Sequence, residues 1–327
     1  MSETGVEKQS AFVYLIRPDG SAGADIGPAH DLPGDDGSYQ WIRVQHGARE
    51  ETPPIFADIN LPQIVVDALL APETQPRFSK LAGGILLVLR GMNTQSGEDP
   101  HDMVSVRLWV EPKRIISVQL RHVLSVEELV ECCEHDEAPP TVSRFVFALI
   151  DSLSAKVETM VMKLVEQLDD LEEESLLEGG AAAHTHLSEL RRQLIVVRRY
   201  VAPQRSALER VSQSDSALLT DADRMQIREV SDQTVRLVDE LDSARERATV
   251  INDARIAQRA EDMNRNMLVL SIVAAVFLPL GFLTGLLGIN VGGIPGTDSP
   301  YAFWIVCGVS VALAAGLFLL FKRLKWI

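Results

Sequence analysis

Two stretches of this 327-residue chain, Met267 to Leu287 and Tyr301 to Phe321, each run for 21 residues without one Asp, Glu, Lys or Arg. A helix needs about 20 predominantly apolar residues to cross the hydrocarbon core of a bilayer. Buried helices of soluble proteins rarely go that far without a charge, so both runs are expected to be membrane spans. Arg255, Arg259 and Arg265 precede the first run, and Lys322, Arg323 and Lys325 follow the second. The 13-residue loop 288–300 between them has no Lys or Arg. Basic residues favour the cytoplasmic side, so both termini are expected inside, with Trp304 and Trp326 at the two interfaces. The opening MSETGVEKQS has no apolar core of the signal-peptide kind, so the N-terminal region is expected to stay in the cytoplasm.

Charge narrows the partners. The formal net charge of −15 disfavours nucleic acid, whose phosphates demand an excess of Lys and Arg, and makes cations the natural counterpart. Cys132, Cys133 and Cys307 are too few and too badly spaced for a disulfide framework. An enzyme reading finds no phosphate-binding loop, zinc-protease helix or hydrolase serine elbow, and His101-Asp102 stands alone.

The pattern divides the chain. Residues 1–140 read as a cytoplasmic α/β domain. Strands are expected at FVYLI, at 39–45, from Gly84, and as a hairpin of MVSVRLWVEP and KRIISVQLRH; a helix is expected from Leu61. The Gly-, Pro- and Asp-rich stretch from Pro18 to Gly37 reads as a long loop. Residues 141–222 form a helical hairpin with its turn at Gly180, and Pro203 is expected to kink or break the second helix. Residues 223–287 form a stalk helix that continues into the first span; 288–300 is the outer loop, 301–321 the second span and 322–327 a basic tail. The stalk would be roughly 95 Å long at the α-helical rise. The fold class is therefore α+β, with a long helical stalk and two C-terminal spans.

Two stripes run along the stalk helix. Ile227, Val230, Thr234, Leu237, Leu241, Ala244, Ala248 and Ile251 recur at spacings of three and four, the seam of a helix packed lengthwise on others. Beyond it come Asp253, Ala257, Ala260, Asn264, Met267, Ser271, Ala274, Leu278, Gly281 and Gly285, a face of small and weakly polar residues. Lipid tails are as apolar as leucine, so small residues on one face signal close helix approach. Several copies around an axis would line a narrow path, with Asn264 at its inner entrance. Tight packing alone accounts for any single glycine here. Pro279 removes a backbone donor and frees a carbonyl in the span.

The stretch FLPLGFLTGLLGINVGGIPG, 277–296, resembles the pore-helix end of the CorA superfamily of two-span metal transporters, whose Gly-Met-Asn signature is here Gly288, Ile289, Asn290. Isoleucine in the middle, the continuation GGIPG, the segment RRQLIVVRRYVAPQR and the ending KRLKWI are similar to the zinc-transporting branch of that family. The resemblance implies a homopentameric funnel with a central pore made by five copies of the long helix, transporting divalent cations, chiefly zinc, with no cofactor. It implies that Asn290 contributes to a ring receiving a hydrated cation at the outer mouth. Distance from the signature implies pore-facing rings at Asp253, Asn264, Met267, Leu270 and Leu278; the stripe places Ser271 where that matching places Leu270. It also implies proton coupling, although the spans hold no Asp, Glu, Lys, Arg or His and the candidate acids at the cytoplasmic approach are Asp253, Glu261 and Asp262.

Zinc prefers imidazole and thiolate, yet all seven histidines lie between His30 and His186, and only Cys307 is in the membrane part. A hydrated ion held by amides and carbonyls is therefore expected. Asp298 is the sole acid of the outer loop and either attracts cations or is merely solvated. The run from Glu166 to Glu178, with seven acids and no base, reads as a solvated helix face or a cation collector. Cys132, Cys133 and His135 form a candidate soft-metal site, against the plainer reading of a helix end. Two rivals remain: a CorA-like magnesium, cobalt or nickel channel, and a membrane-tethered coiled-coil scaffold or sensor.

Overall fold

The computed structural model describes residues 11–24, 32–45, 55–71, 75–81, 83–93, 99, 101–176, 181–289 and 299–324. The chain forms two compact units, Met1–Ile251 and Asn252–Ile327.

In the first unit, β-branched and aromatic runs form seven strands: β1 Ala11–Ile16, β2 Ala22–Ala24, β3 Tyr39–Gln45, β4 Arg77–Leu81, β5 Gly84–Gly91, β6 Val104–Glu111 and β7 Arg114–Gln119. They make one sheet in the order β2-β1-β3-β7-β6-β5-β4, antiparallel except for the parallel β3–β7 pair. The predicted hairpin closes at Pro112-Lys113, where Glu111 opposes Arg114 and the pair is joined by a 2.7 Å ion pair. Two short helices, α1 Ile55–Asp58 and α2 Gln63–Leu70, cover one face through Phe56, Val65 and Leu69 against Ile42, Trp109 and Val118. The other face packs on α3 Leu124–Glu134 and on α4 Val142–Leu176. Coverage on both faces explains why central strands read as continuous apolar runs rather than alternating ones. At the centre Trp41 is fully buried, stacked on Tyr14 at 5.2 Å and edge-on to Phe145 at 4.9 Å, with its indole N–H donating to Ser117 Oγ at 2.9 Å.

Two expectations are corrected. The stretch from Pro18 to Gly37 is not all loop, because Ala22–Ala24 pairs antiparallel with Tyr14–Ile16. Gly20, at φ +85, makes the reversal, and Asp19 accepts from the Ser21 amide and hydroxyl. Nor does Pro203 break its helix: α5 runs from Ala181 to Ser212 without interruption. One missing hydrogen bond is outweighed by burial of Val201, Ala207 and Leu208 on either side.

Helix α6 spans Asp221–Leu287 and α7 spans Ala302–Arg323. Every residue of the predicted seam, Ile227 to Ile251, is buried. Leu237, Leu241 and Ala248 join Val161 and Leu168 of α4 and Leu194 and Val197 of α5 in one apolar cluster. Arg198 donates to Asp242 through Nε and Nη2, and Arg247 takes Asp169 and Glu172. The start of α6 is fixed by Thr220 and Asp223. The Thr220 hydroxyl accepts the Asp223 amide at 3.1 Å, and Asp223 Oδ2 accepts from the hydroxyls of Thr220 at 2.7 Å and Ser143 at 2.5 Å. Burial pushes the Asp223 carboxyl up, but those hydroxyls and Arg144 outweigh it and hold it below the ordinary 3.8. Its contribution to stability is therefore complete above the unfolded pKa and is lost as pH falls below about 4 toward the folded value. Asp223→Asn is expected to flatten the acid limb of the unfolding profile below pH ~4, and Asp223→Ala to cost about 2 kcal/mol at neutral pH. Denaturation followed across pH checks both, and an unchanged acid limb in the Asn variant contradicts the assignment.

Candidate functional site

The second unit contains the end of α6, from Asn252, and all of α7. Both helices are long and apolar enough to cross a membrane. In the apolar segment of α6 the partly covered residues are Ile272, Val276, Pro279, Leu280 and Leu283, which fall on one face. In α7 they are Ala302, Val306, Cys307, Ser310, Leu313, Ala314 and Leu317, followed by the buried Phe321, again one face. Each helix thus has one shielded side and one open side.

The small-residue stripe lies on the open side of α6. Asp253, Asn264, Met267, Ala274, Leu278, Gly281 and Gly285 are all exposed, as are Leu270 and Ser271. At about 100° per residue the stripe is centred roughly 140° around the helix from the covered face. A Cβ added at Gly281 or Gly285 meets nothing within 4 Å, so in the single chain these glycines leave open surface rather than seat a neighbour of their own chain. Little polar capacity is left over on this face. The Ser271 hydroxyl donates to the Met267 carbonyl at 2.8 Å and that of Thr284 to the Leu280 carbonyl at 2.9 Å, both within the helix. Leu270 and Ser271 flank the line from Met267 to Ala274, one on each side. The helix stops at Gly288, whose N–H donates to the Thr284 carbonyl at 2.9 Å, and Ile289 follows half exposed. Asn290 and Asp298 lie outside the described residues.

The candidates of the first unit do not assemble. Cys133 is buried in the sheet core and its thiol is pushed up to about 12 by burial and by Cys132 and Glu134. Cys132 is also raised, by burial and then by Glu137 and Glu131. His135 caps α3, with Nδ1 2.8 Å from the Glu131 carbonyl. Asp136, at φ 58, accepts from the Ala22 amide. Cys132, Cys133 and His135 thus sit at the end of α3, with Cys133 turned into the core and His135 turned to the Glu131 carbonyl. No group of three or more His, Cys, Asp or Glu poised for a metal occurs among the described residues. In the acidic run Asp169 and Glu172 are taken by Arg247, while Asp170, Glu173 and Glu174 are exposed. Sequence reasoning overlooked these interhelical ion pairs, and the Thr220–Asp223 capping box at the start of α6, in which Thr220 is the cap. The Thr-x-x-Asp spacing ahead of the seam was the available signal for the cap.

A mixed-sheet unit, one 67-residue helix that ends in an apolar segment, and a second apolar helix make a chain with two helices able to span a membrane and a large polar N-terminal part. The chain belongs to the CorA family: residues 36–323 match the family model described as CorA-like Mg2+ transporter protein. It is 36% identical over 289 residues to the divalent cation transporter CmaX of Pseudomonas aeruginosa, covering 88% of this chain and 87% of that one. It is also 36% identical over 267 residues to the zinc transport protein ZntB of Pectobacterium carotovorum, covering 82% and 81%. A solved structure of full-length CmaX superposes with a TM-score of 0.84 at 33% identity, covering 99% of this chain and 100% of that one.

Proposed function

We propose that this chain is one subunit of a homopentameric divalent cation transporter of the inner membrane, with zinc as its chief ion and both termini in the cytoplasm. Five copies of α6 would enclose a water-filled path along the open stripe from Asp253 to Gly285. The carrying observation is that the small-residue face and the shielded face of α6 lie on opposite sides of the helix, so a bundle can bury the stripe without disturbing the contacts each chain already makes. The ion would pass largely hydrated, since the stripe offers a carboxylate only at Asp253, amides at Asn264 and Asn290, a thioether at Met267 and backbone oxygens. The signature Gly288, Ile289, Asn290 would form the outer mouth, with Asp298 beside it.

Two names among the relatives favour different ions. ZntB relatives support zinc, whereas the description of CmaX as a divalent cation transporter supports a broader conductance, and the family description favours magnesium. Flux of each ion into proteoliposomes, alone and in competition, separates them. Zinc flux suppressed less by excess magnesium than by excess cobalt or nickel is the expected pattern, and no zinc flux at all removes the zinc assignment. Asn290→Ala is expected to lower flux about tenfold or more, and unchanged flux rules out the mouth assignment. A scaffold would give no flux with any ion. Proton coupling would have Asp253, Glu261 and Asp262 as its candidate acids at the inner approach; zinc flux that ignores an imposed pH gradient removes it and leaves transport intact.

A further inference from the structure

Pro279 lies inside α6 and has no N–H, so the carbonyl of Ala275, one turn before it, loses its helical partner. In water a solvent molecule would take that oxygen. In hydrocarbon an unsatisfied backbone carbonyl is costly, and prolines are tolerated in spanning helices where a neighbouring hydroxyl replaces the missing donor.

Few donors are on hand. The hydroxyls of the two apolar segments belong to Ser271, Thr284, Tyr301 and Ser310. Ser271 and Thr284 donate back into α6 itself, to the Met267 and Leu280 carbonyls. Tyr301 precedes α7 and is exposed. Ser310 differs from all three: it is partly covered, on the shielded face of α7, and its hydroxyl has no hydrogen-bond partner among the described residues.

The two shielded faces set a register. Ile272, Val276, Pro279 and Leu283 of α6 follow one another at spacings of four, three and four residues. Val306, Ser310, Leu313 and Leu317 of α7 do the same. This pattern reads identically in both directions, so it meshes between antiparallel helices, as two successive spans must be. Aligned so, Ile272 meets Leu317, Val276 meets Leu313, Pro279 meets Ser310 and Leu283 meets Val306. The Ala275 carbonyl points along α6 toward Pro279, which brings it to within about one turn of the Ser310 hydroxyl.

We propose that in the bilayer Ser310 of α7 donates its hydroxyl hydrogen to the Ala275 carbonyl that Pro279 releases. This rests on the reading of the two apolar helices as spans under Proposed function. The bond fixes the rotation of α6 against α7, and with it the direction in which the open stripe faces. Ser310 is thus a positioning residue and touches no ion.

Thermal unfolding of the full chain in phospholipid nanodiscs tests this. Ser310→Thr and Ser310→Val have the same shape and differ in the hydroxyl alone. Ser310→Val is expected to melt about 2 °C below Ser310→Thr in the otherwise native chain. The two are expected to coincide once Pro279→Ala restores the N–H to α6. A gap that persists with Pro279→Ala, or no gap in the native chain, overturns the proposal. Cross-linking checks the register independently. With the three native cysteines changed to alanine, Val276→Cys with Leu313→Cys is expected to join through a short thiol cross-linker about tenfold faster than Val276→Cys with Leu317→Cys, which lies a turn away. Equal or reversed rates overturn the alignment and the bond with it. Cation flux is read separately: a hydroxyl effect that depends on Pro279 in a chain that carries no cation removes the transport reading alone. Release of the chain by alkaline extraction removes the span reading, and this proposal with it.

Discussion

Ala274→Trp should abolish cation flux, by at least about 100-fold, while leaving the assembled protein in the membrane. Ala274 is on the open stripe midway between Met267 and Gly281, with no contact of its own to lose. Five indoles converging on one level would fill a path lined elsewhere by small side chains. The control is Val276→Trp, two residues along on the shielded face, where the same bulk meets existing packing. It should impair assembly or stability more than conduction per assembled complex. Flux normalised to protein in proteoliposomes distinguishes them, and Ala274→Trp conducting like wild type would place the path elsewhere.

The second large effect is on the folded N-terminal unit. Trp41→Ala is expected to destabilise it by about 3–5 kcal/mol, because it empties a fully buried site that touches Tyr14 and Phe145 and strands the Ser117 hydroxyl. For a unit of this size that corresponds to a loss of roughly 10 °C in melting temperature. Trp41→Phe should recover most of the packing and leave a deficit of about 1 kcal/mol from the lost hydrogen bond. Thermal unfolding of the purified full chain measures both, and a wild-type melting temperature in the Ala variant would mean that this aromatic centre is not what holds the sheet to α4.

The long helices were legible because their signals are periodic over many turns. The seam from Ile227 to Ile251 has the spacing of a lengthwise packing face, and all of it is buried; the charge-free runs match the two apolar helices. Strands with a continuous apolar run were legible for the same reason. What escaped was short or set by distant partners. β2 is three residues in a Gly- and Pro-rich stretch and exists because Tyr14–Ile16 offers an edge to pair with. β4, RFSKL, has too few apolar residues to stand out and is fixed by its pairing with β5. Pro203 was overweighted, since local propensity loses to burial on both sides of it.

The stripe was legible as a face, because small residues recur at helical spacing through a charge-free segment, and the structure leaves that face open. Its orientation was not, since a sequence does not say which side of α6 is covered; the structure supplies this through Ile272, Val276 and Leu283. The cysteine pair shows the opposite failing. Adjacent ligand-type residues look like a site in one dimension, but on a helix they point about 100° apart, and Cys133 turns into the core.

Solvent accessibility along α6 tests the central claim most directly. In a Cys132→Ser, Cys133→Ser, Cys307→Ser background, cysteines placed singly at Met267, Ala274, Leu278 and Gly281, and at Ile272, Val276 and Leu283, would be treated with a charged, membrane-impermeant thiol reagent during flux. Modification and block at the first four positions, with none at the last three, is the expected result. Modification that favours the second set, or no position of either set reached from water, would contradict a conduit along the small-residue face.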